Sequence, residues 1–505
     1  MWTTKRPAVV IIGAGIGGIA TAAHLAQRGM QVTVVEKNAW PGGRCDHFER
    51  DGHHFNTGPT LLIMPKVYEQ EFAALGIALH ERLDLRRVDP TYHLVFDDGS
   101  QLALTSDLQR MCAQLEAIQP GSFQGFLRYL GEGYRHYNVA MERLVERDFR
   151  TASEFFAFSN APLLFSLKPL TQHYHHMGAY FSDPRLKAAF TFQDVYMGLS
   201  PFEAPSTFSM MASTELAHGV WYPKGGMYSV VEALMEAARA AGVTFLFRAA
   251  VGRIDITDGR ARGVTLVDGR TLAADAVVAN ADLPYVYQRL LPDNDLAQQF
   301  EHKQFSCSAI SFFWGVDKTY PQLEPHTLFL ADAYRDNFER ISSLRDLPEN
   351  PSLYIHAPAR LDADAAPAGQ DTLVAVVPVG HLDDAGKQDW RRIRARARQS
   401  VFNRLRLVGV TDLQEHLKFE VNYVPLSWRK RYNLAKGATH GLAHTLTQLG
   451  YLRPHNRHPL YHNLYFVGAS THPGTGVPTA LVCARQVAER LTEDIQSQAL
   501  IAARG

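Results

Sequence analysis

The feature that most constrains this chain is its beginning, where a short apolar run enters a glycine-rich turn. Ala8–Ile12 supplies five apolar residues, as a buried parallel strand does, and an apolar helical pattern continues from the turn to Arg28. Gly13 permits a tight turn, Gly15 lets the backbone approach a pyrophosphate, and Gly18 lets helix and strand pack closely. The pattern predicts a strand, a phosphate-binding turn and a helix whose N-terminus faces an anion.

A second predicted strand completes the binding unit. Gln31–Glu36 ends in a carboxylate at the offset where the ribose of a dinucleotide needs a hydrogen-bond acceptor. Gly43 and Arg44 follow at once and could wrap the ribose and phosphates of a cofactor that stays bound, although an ordinary Pro-Gly turn has the same composition. Together these elements predict a dinucleotide-binding domain, without distinguishing FAD from NAD.

Length and composition exclude several classes of function. A chain of 505 residues exceeds one typical domain, and 46% hydrophobic with 20% charged residues indicates a globular enzyme with a large core. The formal net charge is zero and there is no long basic run, which argues against nucleic acid as a partner. The four cysteines form no CxxC pair, and the histidines near 173–176 and at His440 and His444 lack further ligands, so we predict no disulfide framework and no metal site.

No stretch of the sequence has the pattern of a signal peptide or of a membrane span. The first strand begins within a few residues of the N-terminus, and no run reaches the about 18 apolar residues that a spanning helix needs. Scattered cysteines fit a reducing compartment. We therefore expect a cytoplasmic protein, with peripheral membrane contact left open.

The segment 107–217 differs in character from the residues before it. Its pattern is helical, its aromatic residues are dense, and 155–170 carries almost no charge apart from Lys168. Two interpretations remain open: a helical core, or the wall of an apolar tunnel or membrane-dipping face. The later cluster Trp428–Tyr432 could contact anionic lipid headgroups, although a solvated charge cluster has the same composition.

The remaining segments alternate between two kinds of domain. Residues 275–281 return to apolar strands, and Asn463–Val477 repeats the opening order of strand, glycine turn and helix N-terminus. In chain order we predict a dinucleotide-binding domain in three parts (1–106, 218–283 and 446–505), a helical region (107–217) and a mixed substrate domain (284–445).

These stretches together resemble the bacterial-type phytoene desaturase family, a branch of the FAD-dependent amine oxidase and protoporphyrinogen oxidase superfamily. The resemblance covers nearly the whole chain. Its most specific part is the C-terminal signature, in which Gly-Ala-Ser-Thr-His-Pro-Gly-x-Gly precedes an aliphatic residue, matched within Asn463–Val477. The signature normally has Gly or Ser six positions later, where this chain has Cys483. Gly42–Arg44, Thr57–Pro59 and Tyr222–Met227 match as well.

The resemblance implies a non-covalently bound FAD and a set of residues around it. The substrates of this family are C30 or C40 isoprenoid chains drawn from the membrane, which favours the tunnel or membrane interpretation of 107–217. The expected electron acceptor is quinone or oxygen. The residues that the resemblance assigns to FAD are Gly13, Gly15 and Gly18 at the pyrophosphate, Glu36 at the adenosine ribose, Gly43 and Arg44 at the middle, Val251 on the adenine side, and Gly468, Gly476 and Val477 at the isoalloxazine.

We therefore expect an α/β fold in which a Rossmann-like FAD-binding domain with a parallel sheet is interleaved with a mixed α+β substrate domain and a helical region that could associate with a membrane. The expected reaction is desaturation of a linear carotenoid precursor by hydride transfer to flavin. A carotenoid oxidase, an oxygenase or a 3,4-desaturase of the same family are alternatives, and a non-catalytic prenyl-chain escort is a remote one. His472 is the candidate base, although a structural role in its turn is the favoured interpretation.

Overall fold

The computed structural model describes residues 6–292, 295–344, 347–386 and 388–502. In chain order its strands are β1 (Ala8–Ile12), β2 (Gln31–Val35), β3 (His47–Arg50), β4 (His53–Asn56), β5 (Leu85–Val88), β6 (Tyr92–Phe96), β7 (Gln101–Leu104), β8 (Val220–Pro223), β9 (Thr244–Leu246), β10 (Val251–Thr257), β11 (Arg260–Leu266), β12 (Thr271–Ala273), β13 (Ala276–Ala279), β14 (Ser308–Val316), β15 (His326–Leu330), β16 (Leu353–His356), β17 (Asp371–Val379), β18 (Leu417–Tyr423) and β19 (Leu464–Phe466).

The α-helices, also in chain order, are α1 (Ile16–Gln27), α2 (Pro65–Ala74), α3 (Leu79–Arg82), α4 (Leu108–Ile118), α5 (Ser122–Ala140), α6 (Ala152–Phe155), α7 (Ala161–Leu167), α8 (His173–His176), α9 (Pro184–Ala189), α10 (Met210–His218), α11 (Tyr228–Ala240), α12 (Leu283–Tyr285), α13 (Asp295–Gln298), α14 (Tyr334–Ser342), α15 (Trp390–Leu405), α16 (Pro425–Tyr432) and α17 (Val477–Ala502). Within the described ranges, no helix combines the length and the apolar character needed to cross a membrane.

Five parallel strands form the sheet that the first apolar run predicts. Their order is β19-β13-β1-β2-β9, so β1 lies in the middle. Val9 and Ile11 face a core shared with α1, α11 and α17, whereas Val10 and Ile12 face a second core shared with the antiparallel sheet β10-β11-β12. Burial on both faces explains why β1 is apolar throughout, and it confirms the predicted parallel sheet.

A seven-stranded sheet, ordered β18-β14-β17-β16-β15-β6-β7, is the base of the second domain. One face packs on α15 around Trp314 and Phe402, whose rings stack, and the other packs on the helices that follow β7. β6 and β7 belong to segment 1–106, which the sequence assigns entirely to the dinucleotide-binding domain. Because β6 pairs with β15, that assignment is corrected for these two strands; the other boundaries stay predictions.

The aromatic segment 107–217 is partly core and partly surface. Phe126, Tyr129 and Phe190 are buried against β6 and β7, as the core interpretation predicts. In contrast, Phe158 is 93% exposed and Phe165 is 83% exposed. The core interpretation therefore holds for one part of the segment, whereas 156–170 exposes apolar side chains and its contact with a membrane stays a prediction.

The Trp428–Tyr432 cluster is divided between the interior and the surface. Trp428 is buried and donates from Nε1 to a carbonyl of β14 at 2.8 Å. Arg431 forms a salt bridge with Asp46 at 2.6 Å, and the Tyr432 hydroxyl donates to the same carboxylate at 3.0 Å. Arg429 and Lys430 are exposed, so contact of the cluster with lipid headgroups stays a prediction that rests on these two residues.

Candidate active site

A cavity of about 1070 Å³ begins at the carboxyl edge of the parallel sheet and extends into the helical region. Gly13, Glu36 and Val251 line it at the sheet, and the exposed Phe158 and Leu170 line it at the far end. Seven more predicted residues also line it: Gly15, Gly43, Arg44, Gly468, His472, Gly476 and Val477. Ligands of open α/β sheets bind outside the carboxyl ends of the strands, so the cavity begins where a ligand is expected.

The first glycine turn can approach a ligand closely because its glycines have no side chains. Larger residues would be strained at these positions or would clash with neighbouring parts of the chain. Gly13 has a φ of +99°, which favours glycine. A Cβ on Gly15 would stand 2.8 Å from Oδ1 of Asn280, and one on Gly43 would stand 3.2 Å from Cα of Gly15. Gly18 lies behind the turn: its Cβ would stand 2.1 Å from the Gly13 carbonyl oxygen, so it permits close packing and does not line the cavity.

Glu36 ends β2 at the cavity wall and is buried. Its Oε2 accepts a hydrogen bond from the Ala14 amide at 2.9 Å, and its Oε1 accepts one from the Asn38 amide at 2.8 Å. A carboxylate has about four acceptor sites, so two remain for the hydroxyls of a ribose. The Ala249 amide donates to the Glu36 carbonyl at 2.8 Å, which brings nearby Val251 to the same end of the cavity.

Arg44 brings a buried positive charge to the cavity. Its Nη1 donates to the Thr439 carbonyl at 2.9 Å; burial lowers the pKa of the guanidinium, and the Asp282 carboxylate opposes that effect. Two hydrogen bonds fix the Asp282 carboxylate in place: it accepts one from the Ser470 hydroxyl at 2.8 Å and one from the Ala435 amide at 2.9 Å. A guanidinium fork in this position suits a pyrophosphate.

A second glycine turn follows β19. Gly468 and Gly476 have φ values of +142° and +123°, and α17 begins at Val477 with its N-terminus at the cavity. The turn is fixed by His444, whose Nε2 accepts from the Thr475 amide at 3.1 Å. The N-termini of α1 and α17 therefore face one space, and both present amides to an anion or a carbonyl.

Sequence reasoning missed two residues that hold these turns. Asn280 follows β13 directly, and its Nδ2 donates to the Val467 carbonyl at 2.9 Å; its place after an apolar strand could have indicated it. Arg453 is 1% exposed and has no sequence signal, because its acceptors are far apart along the chain. It donates to the backbone carbonyls of Leu442, Ala443, Gln448, Ala469 and Thr471 at 2.5–3.2 Å.

His472 lines the cavity, but its ring is held in place. Nε2 donates to the Arg147 carbonyl at 2.9 Å, and the ring packs edge-on against Phe149. Nδ1 has no partner among the described residues, and burial lowers the pKa of the imidazole to about 4. A neutral ring with so low a pKa is a poor base near neutral pH, so this geometry favours the structural role over the catalytic one.

Cys483, the departure from the family signature, packs against the second turn. Its Sγ accepts from Nδ2 of Asn456 at 3.0 Å and lies 3.7 Å from the Thr471 hydroxyl. Burial raises the pKa of the thiol to about 11, so it stays neutral. The histidines near 173 are likewise structural, since His173 binds the Asp194 carboxylate at 2.8 Å. In the described part of the chain, no three His, Cys, Asp or Glu residues come together as metal ligands.

The far end of the cavity opens among exposed apolar side chains. Phe158 is 93% exposed and Leu170 is 80% exposed. The residues that both line the cavity and are exposed, which we call the apolar rim, are Phe156, Phe158, Leu170, Leu446 and Leu452. Exposed apolar patches of this kind are typical of protein–protein, membrane or ligand contact sites.

Together these residues fit a dinucleotide. The glycine turn would be filled by any added Cβ, the Glu36 carboxylate has free acceptor sites, and Arg44 supplies a buried cation. The second glycine turn brings the N-terminus of α17 to the same cavity, where it can bind the half of the dinucleotide that the first turn does not reach.

Comparisons with known proteins agree with this fit. The chain matches the flavin containing amine oxidoreductase family over residues 16–492. A phytoene desaturase of Fusarium fujikuroi is 40% identical over 511 aligned positions, which cover 97% of this chain and 90% of that one. A zeta-carotene-forming phytoene desaturase of Myxococcus xanthus is 39% identical, with 97% and 94% covered. A 4,4'-diapophytoene desaturase of Staphylococcus haemolyticus is 34% identical, with 97% and 99% covered.

Solved structures share the fold at low identity. Putrescine oxidase bound to putrescine has a TM-score of 0.65 at 15% identity, with 97% of this chain and 99% of that chain covered. A fatty acid isomerase from P. acnes has a TM-score of 0.58 at 13% identity, with 97% and 99% covered. The sequence match over nearly the whole chain and the geometry of the two glycine turns lead to one conclusion: the chain belongs to the flavin containing amine oxidoreductase family and is an FAD-dependent oxidoreductase.

Proposed function

We propose that this flavoenzyme introduces double bonds into a linear polyene isoprenoid of the phytoene or diapophytoene type. The observation that carries the proposal is the continuity of the cavity, which joins the dinucleotide turns to the apolar rim within about 1070 Å³. Relatives with 34–40% identity over nearly the whole chain are named for this reaction, which supports the same class of substrate here.

The residues around the cavity have two different tasks in this proposal. Bound FAD supplies the acceptor for a hydride. A hydrocarbon offers no polar handle, so its position is set by the shape of the apolar wall, as in other apolar ligand sites. The proposed FAD ligands are the glycine turns at Gly13–Gly15 and Gly468–Gly476, the Glu36 carboxylate, Gly43, Arg44, and the backbone at Val251 and Val477.

We further infer that the protein works in the cytoplasm as a peripheral membrane enzyme, with a quinone or oxygen as its final electron acceptor. Long isoprenoid hydrocarbons partition into bilayers, so an enzyme that binds them must reach the membrane. The apolar rim supports this inference because it is exposed, uncharged and placed at the mouth of the cavity. Lys168, close to the rim in sequence, binds both carboxylate oxygens of Glu132 at 2.9 Å.

The reaction itself is tested by anaerobic mixing. FAD-loaded protein and phytoene or diapophytoene in liposomes should lose the visible absorbance of oxidised flavin, because hydride acceptance needs no oxygen. Mass spectrometry of the extracted pigment should show a product two hydrogens lighter. If the flavin stays oxidised until air is admitted and labelled oxygen then enters the product, the enzyme is an oxygenase and the proposal is wrong.

The cofactor site is tested by Glu36→Ala. Two hydrogen bonds from ribose hydroxyls to a carboxylate contribute about 1.5–3 kcal/mol each, so the Kd for FAD should rise roughly 100-fold or more. Flavin content after gel filtration measures the loss, and circular dichroism checks folding. Thr33→Ala on the same strand is the matched control, because Thr33 does not line the cavity. Full flavin occupancy in Glu36→Ala protein would rule out the assignment.

Membrane contact is tested by substitutions in the apolar rim. Burying Phe158 and Leu170 in a bilayer gains about 2 kcal/mol for each side chain, so the double change to Ser should weaken partitioning into liposomes more than roughly tenfold. The control is the double change to Ser of Val267 and Leu460, which are 73% and 53% exposed and do not line the cavity. Equal flotation of both variants would show that the rim is not the contact surface.

A further inference from the structure

The wall of the cavity contains a buried carboxylate, Glu215, to which the proposed FAD site assigns no role. Glu215 lies on α10, lines the cavity and is 3% exposed. Its Oε2 accepts a long hydrogen bond of 3.4 Å from Nε2 of Gln193, and its Oε1 has no hydrogen-bond partner among the described residues. A buried polar atom without a partner costs free energy and needs an explanation.

The other two carboxylates of the cavity accept hydrogen bonds from the protein at both oxygens. Of the cavity-lining residues in the described ranges, three carry a carboxylate: Glu36, Glu215 and Asp282. Both oxygens of Glu36 accept from backbone amides, and both oxygens of Asp282 accept from Ser470 or from a backbone amide. Glu215 therefore differs from the other two in having an oxygen that accepts no hydrogen bond from the described residues. Glu36 keeps acceptor sites as well, but the proposed function assigns those to the ribose of FAD.

The histidines of the cavity are poor alternatives for a proton acceptor. Both ring nitrogens of His444 are engaged, with Met197 and Thr475. Burial lowers the pKa of His440 and of His472 to about 4 in each case. Burial has the opposite effect on a carboxyl group, and it raises the pKa of Glu215 to about 8. A base is most effective when its pKa is close to the working pH.

Neutral phenols lie near this carboxyl group. Tyr92 on β6, Tyr129 on α5 and Tyr196 are close enough to interact electrostatically with Glu215, and burial raises the pKa of each well above the ordinary value for tyrosine. The long hydrogen bond from Gln193 favours the ionised form of Glu215, and so does the neighbouring Tyr92 hydroxyl. Among the described residues, Glu215 has no ion pair that would hold it ionised at low pH.

Hydrogen bonds connect this cluster to the flavin end of the cavity. Tyr196 is followed by Met197, whose carbonyl accepts from Nδ1 of His444 at 3.1 Å. The other nitrogen of His444 accepts from the amide of Thr475, the residue before Gly476. The cluster is thus tied to the second glycine turn, where the redox end of the cofactor is expected.

We propose that Glu215 is a catalytic residue, the base that accepts the proton released in desaturation. This inference rests on the proposed function. One C–H bond gives up its hydrogen with both electrons, for which flavin is the acceptor. The C–H bond on the adjacent carbon loses a proton to Oε1 of Glu215, and its electron pair becomes the second bond of the new double bond. Two hydrogens leave as one hydride and one proton, so charge and electrons balance.

The test compares Glu215→Gln, Glu215→Asp and the control Glu203→Gln in anaerobic flavin reduction by phytoene. Glu203→Gln makes the same chemical change at an exposed residue that does not line the cavity. In the wild type the rate should rise about tenfold per pH unit below pH 8 and level off above it. Glu215→Gln should lower the rate about 100-fold or more and abolish the rise, Glu215→Asp should restore part of the rate and part of the pH dependence, and Glu203→Gln should keep the wild-type profile.

A second readout does not depend on turnover. The infrared difference between wild type and Glu215→Gln, recorded without substrate, should contain a protonated carboxyl band that disappears as the pH rises through about 8. Should Glu215→Gln fail to fold, the pH profile of Glu215→Asp and the carboxyl band in the infrared difference between wild type and Glu215→Asp decide the question. A Glu215→Gln enzyme with the wild-type rate and profile, or a carboxyl group already ionised at pH 6, overturns the assignment while leaving desaturation intact. A wild type that no polyene reduces overturns both proposals.

Discussion

The structure depends on one edge of one sheet, where the carboxyl ends of β1, β13 and β19 meet. Parallel pairing brings the three ends together, and Asn280 lies at the junction. Its side-chain amide donates to the Val467 carbonyl, and its Oδ1 would be 2.8 Å from a Cβ on Gly15. No larger side chain fits there, so the backbone amides of two helix N-termini stay open to the cavity. Glu36 and Arg44 then bring complementary charges from adjacent turns.

The half of the site that depends on local sequence could be predicted. Gly13, Gly15 and Glu36 lie within one strand–helix–strand unit, and a turn that needs a positive φ or a close approach leaves its mark in the sequence as glycine. Residues that connect segments distant in sequence have no such local pattern. Arg453 binds carbonyls of two segments that are brought together by tertiary packing, which neither spacing nor composition reveals.

Composition also could not separate the buried aromatic residues of segment 107–217 from the exposed ones. Phe126 and Phe158 are the same residue type in the same helical segment, yet one is 1% exposed and the other is 93% exposed. The difference comes from packing against β6 and β7, strands that the sequence assigned to the other domain. Glu215 escaped notice for a related reason, because one carboxylate in a helix becomes unusual through burial against groups far along the chain.

The central claim is that one continuous cavity holds the cofactor at the sheet edge and a polyene between it and the apolar rim. The most direct measurement is a crystal structure of the purified protein with FAD and a polyene bound. We expect the pyrophosphate at the Gly13–Gly15 turn, ribose hydroxyls on the Glu36 carboxylate, and polyene density that passes Glu215 and leaves beside Phe158. A flavin bound away from these turns, or a polyene bound outside the cavity, would contradict the claim.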